Sequence, residues 1–507
     1  MILSNQILPA ISAQSKTETP AENVLAFPEK ILQFGTGVLL RGLPDYFVDK
    51  ANKQGIFKGR IVVVKSTSQG GADAFATQDN LFTQCVRGIE NGKSVDEAIV
   101  NASISRVLAA SGQWNEILAC AENPDLQIVI SNTTEVGITL LDNDDVNANP
   151  PVSFPGKLLA FLLQRYKKFN GSKESGLVII PTELITENGL KLKNIVLELA
   201  RQNKLEQAFI DWVNTANDFC NSLVDRIVPG KLPPADQVAM EAKLGYKDEL
   251  MIMSEVYRLW AIETSSVRSR EILSFSEADA GVIIASDIDK FRELKLRLLN
   301  GSHTFTCALA VNMGFNTVKQ AMADKTFFSF ISQLMHEEIV PAIVDNKINA
   351  ADANSFALQV QDRYKNPFIE HQWLSISLQY TSKMKMRNVP LLQQYYAKRA
   401  TVPTHMAFGF AAYLLFMRSE KAGNAFEGNA GGKKYTINDD KAANLHDLWL
   451  SGNTDNFVSK VLADMALWGV DLNTLPGFGE AVSSAINSIQ QLGIIKALEK
   501  VQAGHEI

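Results

Sequence analysis

The chain has 507 residues, which is more than one hydrophobic core usually organises, so two domains are expected. Its hydrophobic fraction of 46% and charged fraction of 21% are typical of a globular protein. A formal net charge of -6 disfavours nonspecific nucleic-acid binding, which needs clustered lysine and arginine. Four scattered cysteines predict neither a disulfide framework nor a zinc knuckle, and they favour a reducing, cytoplasmic setting.

The first 28 residues, with a polar stretch at about 12–23, predict a loose tail or an arm docked on the surface. They lack the basic and apolar regions of a secretion signal, and none is expected. The longest apolar stretch, 406–417, is too short to span a bilayer and predicts a buried helix.

Strand-like and helix-like patterns alternate between residues 29 and 289. Short β-branched runs occupy 31–34, 60–64, 126–130, 177–180 and 281–284. Helical apolar spacing occupies 38–53, and helical stretches are also predicted within 105–121 and 156–169. This alternation predicts an α/β fold with a doubly wound parallel sheet of the Rossmann type, here assigned to a dinucleotide-binding domain.

From residue 290 to 507 the strand-like runs stop and the pattern is mainly helical. Helices are expected over 327–344, 374–386, 403–418, 456–467 and 480–500. A stretch rich in glycine and asparagine at 423–434 predicts a surface loop. We therefore predict a mainly α-helical C-terminal domain that binds substrate and carries catalysis.

Phe34, Gly35, Thr36 and Gly37 end the first predicted strand and lead into the first predicted helix. Glycine allows a tight turn and a close approach to a pyrophosphate, which the start of the helix would also attract. A single Gly-x-Gly also fits an ordinary turn, but its place after the first strand favours cofactor binding. Arg41, slightly further on, is a candidate for phosphate binding, for pairing with an acid or for simple exposure.

Polar residues follow two other predicted strands. In many NAD-binding proteins an acidic residue at the end of the second strand binds the ribose hydroxyls. Lys65 stands at this position here, so the sequence leaves both NAD and NADP open as the cofactor. Ser131, Asn132 and Thr133 stand where a nicotinamide ribose would lie at the carboxyl edge of the sheet. The alternative for these three residues is a capped turn.

Lys295, Asn300 and His303 fall at positions i, i+5 and i+8, within a sector of about 140° on an α-helix. A lysine in a partly apolar place can have a lowered pKa and exchange a proton with a hydroxyl. An asparagine amide can stabilise the developing alkoxide, and a histidine can bond the same oxygen. A surface lysine and a structural histidine are the competing interpretation. No metal is expected, because the six histidines are scattered and no HExxH motif occurs.

Several motifs occur together in a recognisable order along nearly the whole chain. They are QFGTGVLLR at 33–41, TQDNLFT at 77–83, SNTTE at 131–135, ELI at 183–185, NG at 188–189, LVDRIV at 223–228, LNGSH at 299–303 and NPFIEHQ at 366–372. On these motifs the chain resembles the polyol-specific long-chain, or mannitol dehydrogenase, family.

The resemblance implies a Rossmann-type domain, a helical domain, NAD as cofactor and no zinc. It implies that Lys295 is the general acid/base and that Asn300 and His303 bind the reacting oxygen. It also places Asp225 in the same polar site, although an ion pair with Arg226 or a helix cap would equally explain this aspartate.

One position departs from the family. A second asparagine of mannitol dehydrogenases falls near Leu184, beside Glu183, which leaves the oxyanion partner from this loop open. The Glu-Leu-Ile form resembles the uronate branch and favours a sugar-acid substrate over a plain polyol.

A substrate carboxylate would need a cation. The candidates are Arg363, Lys383, Arg387 and, less directly, His371, with Lys383 preferred because the family's matching lysine faces the substrate. Each of these side chains also has an ordinary structural interpretation. A monomer or small homo-oligomer without nucleic-acid or membrane partners is expected, and a catalytically silent nucleotide-binding protein is the alternative of a different class.

Overall fold

A computed structural model describes residues 1–14, 17–66, 72–133, 137–450 and 453–503. The chain divides into two compact units. Unit 1 comprises Met1–Gly88 and Ser94–Ile288, and unit 2 comprises Ile89–Lys93 and Asp289–Ile507. Within the described ranges, no helix combines the length and the hydropathy needed to cross a bilayer.

The strands before residue 289 form one large sheet and two small ones. They are β1 (Glu29–Phe34), β2 (Arg60–Lys65), β3 (Phe82–Glu90), β4 (Lys93–Asn101), β5 (Ile104–Ala109), β6 (Ile128–Ser131), β7 (Val178–Pro181), β8 (Asp218–Phe219), β9 (Asn221–Asp225), β10 (Ile252–Glu255), β11 (Leu259–Glu263) and β12 (Val282–Ala285). The large sheet has the order β5-β2-β1-β6-β7-β8, and all its pairings are parallel. The small sheets have the orders β10-β3-β4 and β12-β11-β9.

Helices cover both faces of the large sheet. Those before residue 289 are α1 (Leu8–Gln14), α2 (Val38–Gly42), α3 (Pro44–Lys53), α4 (Ala72–Thr77), α5 (Trp114–Cys120), α6 (Phe154–Lys168), α7 (Asn188–Gln202), α8 (Gln207–Ala216), α9 (Pro234–Leu244) and α10 (Val267–Ile272), with short 3-10 turns at Asn5–Ile7, Glu22–Ala26, Lys173–Ser175 and Ser274–Ala278. Leu32 and Phe34 pack into one buried cluster, and Ile31 packs into another. Because successive strand residues point to opposite faces, both faces of β1 are buried. The predicted Rossmann-type fold is confirmed.

Strand β1 is the point at which the strand order reverses, since β2 lies on one side and β6 on the other. Phe34, the last residue of β1, pairs with Val64 of β2 and with Ser131 of β6. Ligands of doubly wound sheets bind beyond the carboxyl ends of the strands at this kind of reversal. The fold therefore places the Gly35 turn and the Ser131 segment beside each other.

Two predictions for unit 1 differ from the structure in detail. A helical stretch was predicted within 105–121, and α5 lies there, but the strand β5, which pairs with β2, occupies the first residues of this range and was not predicted. Pairing with a buried neighbour overrides the local helical spacing. Residues 38–53 form α2 and α3 with a break at Leu43, whose φ is -133°. Pro44 follows, and the residue before a proline avoids the α region.

The residues before β1 form an arm that packs on unit 1. The amide of Leu3 donates to Lys247 O at 3.0 Å, and the side chain of Leu3 is fully buried. Further along, the Glu18 amide donates to Ala98 O at 3.1 Å and the Val100 amide donates to Glu18 O at 2.8 Å. The Glu18 bonds attach the arm to the edge of β4, and the Leu3 bond attaches it to the segment after α9, so the described part of the arm is docked rather than loose.

Unit 2 is mainly helical, as expected. Its helices are α11 (Asp289–Leu294), α12 (Ser302–Asn312), α13 (Val318–Ala323), α14 (Lys325–Gln333), α15 (Val340–Ile343), α16 (Ala350–Tyr364), α17 (Trp373–Ile376), α18 (Tyr380–Lys383), α19 (Val389–Tyr396), α20 (Thr404–Phe416), α21 (Ala442–Trp449), α22 (Thr454–Leu462), α23 (Met465–Trp468), α24 (Phe478–Leu492) and α25 (Ile494–Gln502). Three π-helical segments, Lys295–Gly301, Leu334–Ile339 and Met384–Asn388, and a 3-10 turn, Leu472–Thr474, join some of them. The apolar stretch 406–417 lies almost wholly within the buried helix α20, which confirms that prediction.

Three other expectations for unit 2 are corrected. The stretch 423–434 is not a loop but part of an antiparallel sheet of β13 (Ser419–Ala422), β14 (Ala425–Ala430) and β15 (Lys433–Thr436). Its glycines make the tight turns between strands, as the positive φ of 61° at Gly423 shows. The expected helix 374–386 is interrupted at Gln379 (φ 51°), and 480–500 is interrupted at Gly493 (φ 81°). A left-handed residue cannot continue a right-handed helix.

Asp45, at the start of α3, is fully buried. Gln33 Nε2, on strand β1, donates a hydrogen bond to its Oδ2 at 3.4 Å. Burial raises the pKa of Asp45 to about 8, although Gln33 and Arg41 oppose the shift. An acid whose pKa is raised on folding stabilises the fold most below its unfolded pKa, and this stabilisation is lost as pH rises toward the folded pKa. Stability should therefore fall between about pH 4 and pH 8 by at most about 1.4 kcal/mol per pH unit from this group.

We expect Asp45→Asn to flatten this fall. The urea unfolding midpoint of each protein is measured at pH 6 and at pH 8.5. The drop in midpoint between these two pH values should be smaller in the variant than in the wild type. Asp211→Asn, at an exposed position of α8, serves as the control and should keep the wild-type slope. The same pH slope in Asp45→Asn and the wild type would show that Asp45 does not titrate in this range.

Candidate active site

The Gly35 turn meets the requirements of a phosphate-binding turn. Gly35 has φ +125°, and a Cβ there would lie 2.8 Å from the backbone oxygen of Asn132. Any other residue would therefore be strained and would push the two strand ends apart. A Cβ at Gly37 would meet nothing within 4 Å, so the backbone is open where α2 begins. Thr36 is half-buried between them.

The other two candidates for cofactor binding near β1 and β2 differ in their surroundings. Arg41 is buried, its Nη1 donates to Leu250 O at 2.6 Å, and its guanidinium lies 5.3 Å from the ring of Phe82. Burial lowers the pKa of Arg41. These contacts favour a structural role for Arg41 over phosphate binding. Lys65 is the buried last residue of β2, and the residues at 67–71 that follow lie outside the described part of the chain.

Glu183 holds the segment that follows β6. Its Oε1 accepts hydrogen bonds from the Thr133 amide at 2.9 Å and the Thr133 hydroxyl at 3.1 Å, and its Oε2 accepts one from the Ser131 hydroxyl at 3.1 Å. Asn132 Nδ2 donates to Thr182 O at 3.1 Å and to Thr182 Oγ1 at 3.0 Å. Since both carboxylate oxygens of Glu183 face this segment, the geometry favours a positioning role over direct substrate binding. A carboxylate also cannot donate to an oxyanion, so it does not replace an asparagine amide. The motif residues 134–136 lie outside the described part.

Asn188, which we had noted only as part of a motif, extends this network to β9. Its Nδ2 donates to Pro181 O, Glu183 O and Ser222 O at 3.0–3.1 Å, and its Oδ1 accepts from the Ser222 amide at 2.9 Å. Asp225 is the buried last residue of β9. The guanidinium of the neighbouring Arg226 donates to the carbonyls of Glu255 and Gly42. The ends of β6, β7 and β9 are thus held together within unit 1.

In unit 2, Lys295 and Asn300 lie on a π-helical segment rather than on the α-helix that was expected. A π-helix closes its hydrogen bonds between residues i and i+5, so Lys295 and Asn300 lie roughly above each other on one face. The Leu299 carbonyl accepts a bond from the Tyr364 hydroxyl at 2.6 Å, which stabilises the altered register. Lys295 and Asn300 are both partly exposed, and α12 begins directly afterwards with Ser302. In the π-helical register, the side chains of Lys295 and Asn300 leave the helix in more similar directions than they would in an α-helix.

His303 is buried and uncharged. Its ring stacks on Tyr364 with centroids 3.9 Å apart, and it meets His371 edge-on at 5.4 Å. Burial holds the pKa of His303 well below its usual range, and the positive charges of His371, Arg363, Arg387 and Lys383 lower this pKa further. His303 Nε2 is buried and has no hydrogen-bond partner among the described residues. An unpaired buried ring nitrogen is costly, so this atom is suited to a ligand.

The candidate cations lie around the same histidine. Lys383 Nζ donates to Ile376 O at 2.7 Å, and Arg387 Nη1 donates to Thr304 Oγ1 at 3.2 Å. Arg363 is buried at the end of α16, and His371 is half-buried. The structure thus brings Arg363, His371, Lys383 and Arg387 together near His303. Tyr364 and Thr304 were missed, since no local pattern marks a tyrosine that stacks on a residue 61 positions away.

The described residues thus form a glycine turn at the sheet reversal in unit 1 and a polar cluster around His303 in unit 2. Two family models match the chain. The mannitol dehydrogenase Rossmann domain matches residues 29–273, and the mannitol dehydrogenase C-terminal domain matches residues 287–490. The chain belongs to the mannitol dehydrogenase family.

Curated relatives match along nearly their whole length. The chain is 37% identical over 485 residues to the altronate oxidoreductase of Bacillus subtilis (strain 168), covering 94% of this chain and 96% of the relative. It is 37% identical to that of Halalkalibacterium halodurans, covering 94% and 93%, and 34% identical to that of Escherichia coli O7:K1, covering 93% and 96%.

Solved structures show the same fold. The ternary complex of Pseudomonas fluorescens mannitol 2-dehydrogenase with NAD and D-mannitol has a TM-score of 0.69 at 22% identity, covering 99% of this chain and 100% of that chain. A D-sorbitol dehydrogenase in substrate-free form has a TM-score of 0.79 at 19% identity, covering 98% and 100%.

Proposed function

We propose that the chain is an NAD-dependent altronate oxidoreductase, which interconverts D-tagaturonate and D-altronate in hexuronate catabolism. Similarity to altronate oxidoreductases over nearly the whole chain supports this substrate pair. The structural observation that carries it is the set of cations around His303 in unit 2. A sugar acid supplies a carboxylate that can pair with these cations, which a neutral polyol cannot do.

The Gly35 turn fits the cofactor. The positive φ at Gly35 and the open space at Gly37 would let a pyrophosphate approach the backbone. We assign Phe34–Gly37 and Lys65 to the cofactor's phosphate and ribose, and Ser131–Thr133 to the nicotinamide end. Glu183 would hold the last of these segments in place. NAD, when bound, takes up the hydride from the alcohol carbon of the substrate.

Proton transfer is assigned to Lys295. In the oxidative direction, Lys295 Nζ removes the hydroxyl proton of altronate as the C–H bond breaks, so that a C=O bond forms and the base carries the proton away. In the reductive direction, the lysine returns this proton to the oxygen of tagaturonate. Asn300 donates an amide hydrogen to the same oxygen, where negative charge develops. Neutral His303 offers Nε2 to the reacting oxygen or to a neighbouring hydroxyl.

The remaining assignments complete the proposal. Residues 29–289 form the dinucleotide-binding domain and 290–507 the catalytic domain, with 1–28 as the N-terminal arm. Asp225, Lys383, Arg363 and His371 are candidates for substrate contacts. The enzyme is proposed to be cytoplasmic, to work as a monomer or small homo-oligomer, and to bind no nucleic acid.

A steady-state panel tests the substrate and the cofactor. D-tagaturonate, D-fructuronate and D-fructose are reduced with NADH and, separately, with NADPH. We expect the highest kcat/KM with tagaturonate and NADH. A higher kcat/KM with fructuronate would instead indicate a D-mannonate oxidoreductase, and a higher value with fructose would indicate a mannitol 2-dehydrogenase.

A further inference from the structure

Arg387 differs from the other cations near His303 in its lack of a counter-charge. It lies on the π-helical segment Met384–Asn388 and is partly buried. Among the residues that the structure describes, no aspartate or glutamate forms an ion pair with it. Burial lowers the pKa of Arg387, which means that its positive charge is poorly solvated. A desolvated guanidinium with no carboxylate partner is costly unless a ligand supplies the anion.

The neighbouring cations have compensation that Arg387 lacks. Lys383, the cation preferred from the sequence, donates its Nζ to the Ile376 carbonyl at 2.7 Å. The nearby charge of Asp439 also favours its charged form, although burial lowers the pKa of Lys383 overall. Arg363 is buried and already engaged with another group. Of these three cations, Arg387 is the one best suited to accept a new anion.

A hydrogen-bond chain links Arg387 to the catalytic segment. The Thr304 hydroxyl donates to Asn300 O at 2.7 Å, so its lone pairs are free to accept from Arg387 Nη1 at 3.2 Å. Thr304 adjoins His303, whose Nε2 is unpaired. One hydroxyl therefore ties the guanidinium to the residues that we assign to the reacting oxygen. This tie fixes part of the guanidinium and leaves its other N–H groups for a planar anion.

We propose that Arg387 is the specificity-determining residue that binds the substrate carboxylate and so selects a sugar acid over the corresponding neutral ketose. This inference rests on the proposed function and deepens it. The guanidinium forms charge-assisted hydrogen bonds with the carboxylate, while the Thr304 link holds the acid end of the substrate in a set relation to Asn300. A neutral ketose leaves Arg387 uncompensated, which disfavours its binding.

The test compares D-tagaturonate with D-tagatose, a neutral ketose that carries CH₂OH in place of the carboxylate. In Arg387→Gln, kcat/KM for tagaturonate should fall about 100-fold, because a desolvated charge pair is lost. The value for tagatose should not fall, since tagatose has no carboxylate to pair with the guanidinium. Arg387→Lys should restore part of the activity on tagaturonate. The melting temperature and the NADH affinity, measured by fluorescence, should stay at wild-type values.

Lys383→Gln serves as the matched control, and it should reduce the preference for tagaturonate over tagatose less than Arg387→Gln does. Equal losses on both substrates in Arg387→Gln would make the arginine merely structural and overturn the proposal. If Lys383→Gln lost more of the preference for tagaturonate over tagatose than Arg387→Gln does, the carboxylate would bind Lys383, and the proposal for Arg387 would be overturned. If the wild type reduced tagatose better than tagaturonate, the proposed function itself would fail. That outcome is read from the wild type alone and does not depend on either variant.

Discussion

Replacing Lys295 with alanine is expected to lower kcat for tagaturonate reduction by about 10²–10⁴-fold, the usual contribution of a positioned general acid or base. The lysine lies on the π-helical segment that also carries Asn300, and its side chain is partly exposed. Without its ammonium group, the carbonyl oxygen must take its proton from water as the hydride arrives. NADH binding should be unchanged, because the variant leaves the Gly35 turn untouched. Stopped-flow single-turnover measurements with pre-bound NADH would report the hydride step directly.

Lys290→Ala is a suitable control for this experiment. Lys290 lies just before the same segment, on α11, and forms an ion pair with Asp352. The variant Lys290→Ala should lose activity by a few-fold at most, since exposed ion pairs contribute little to stability. Small primary amines added to Lys295→Ala should recover part of the rate if the missing group is a proton donor. Unchanged turnover in Lys295→Ala would rule out the assigned role.

The second large effect is expected at Asn300. We expect Asn300→Ala to lower kcat by about 10²–10³-fold, as found when one donor to a developing oxyanion is removed. KM for tagaturonate should change much less, because the amide is needed most where negative charge accumulates on the oxygen. The measurement is the full dependence of rate on tagaturonate at saturating NADH.

Asn388→Ala separates this role from a structural one. Asn388 is fully buried, and its Nδ2 donates to Gly301 O at 3.3 Å, at the end of the same π-helical segment. Asn388→Ala should lower the melting temperature more than Asn300→Ala does, since it removes a fully buried side chain together with its hydrogen bond, whereas Asn300 is partly exposed. If the loss of activity in Asn300→Ala were accompanied by a fall in melting temperature large enough to explain it, the oxyanion role would be wrong.

The sequence predicted the sheet and the cofactor turn for local reasons. The runs at 31–34, 60–64 and 126–130 are too apolar for an exposed strand, so they predicted a buried parallel sheet, and the structure places β1, β2 and β6 there. The glycine motif after β1 was correctly placed at the turn, because positive φ is a property of the residue itself. Strand β5 was not predicted, because its pairing with β2 depends on a partner far away in the chain.

Lys295, Asn300 and His303 were singled out by their chemistry, spacing and surrounding motifs, and their catalytic roles stay a prediction. The α-helical register predicted for Lys295 and Asn300 was wrong, because both lie on a π-helical segment. In this segment the Leu299 carbonyl accepts a bond from the Tyr364 hydroxyl, 65 residues away. Glu183 was recognised as the departure from the family, yet its attachment to Ser131 and Thr133 required the folded sheet edge.

The sequence by itself determined the fold class, the family and the groups available for proton transfer, because these follow from local pattern and residue chemistry. Only the tertiary structure decided which of these groups are charged and which are already satisfied. Burial lowers the pKa of His303, and Arg363, Arg387 and Lys383, which are distant in the sequence, lower it further. Arg387 is proposed in place of Lys383 because Ile376 and Asp439 compensate the lysine, whereas the Arg387 guanidinium hydrogen-bonds only the Thr304 hydroxyl among the described residues. Desolvation and hydrogen-bond satisfaction are sums over neighbours that the fold assembles, so spacing along the chain does not contain them.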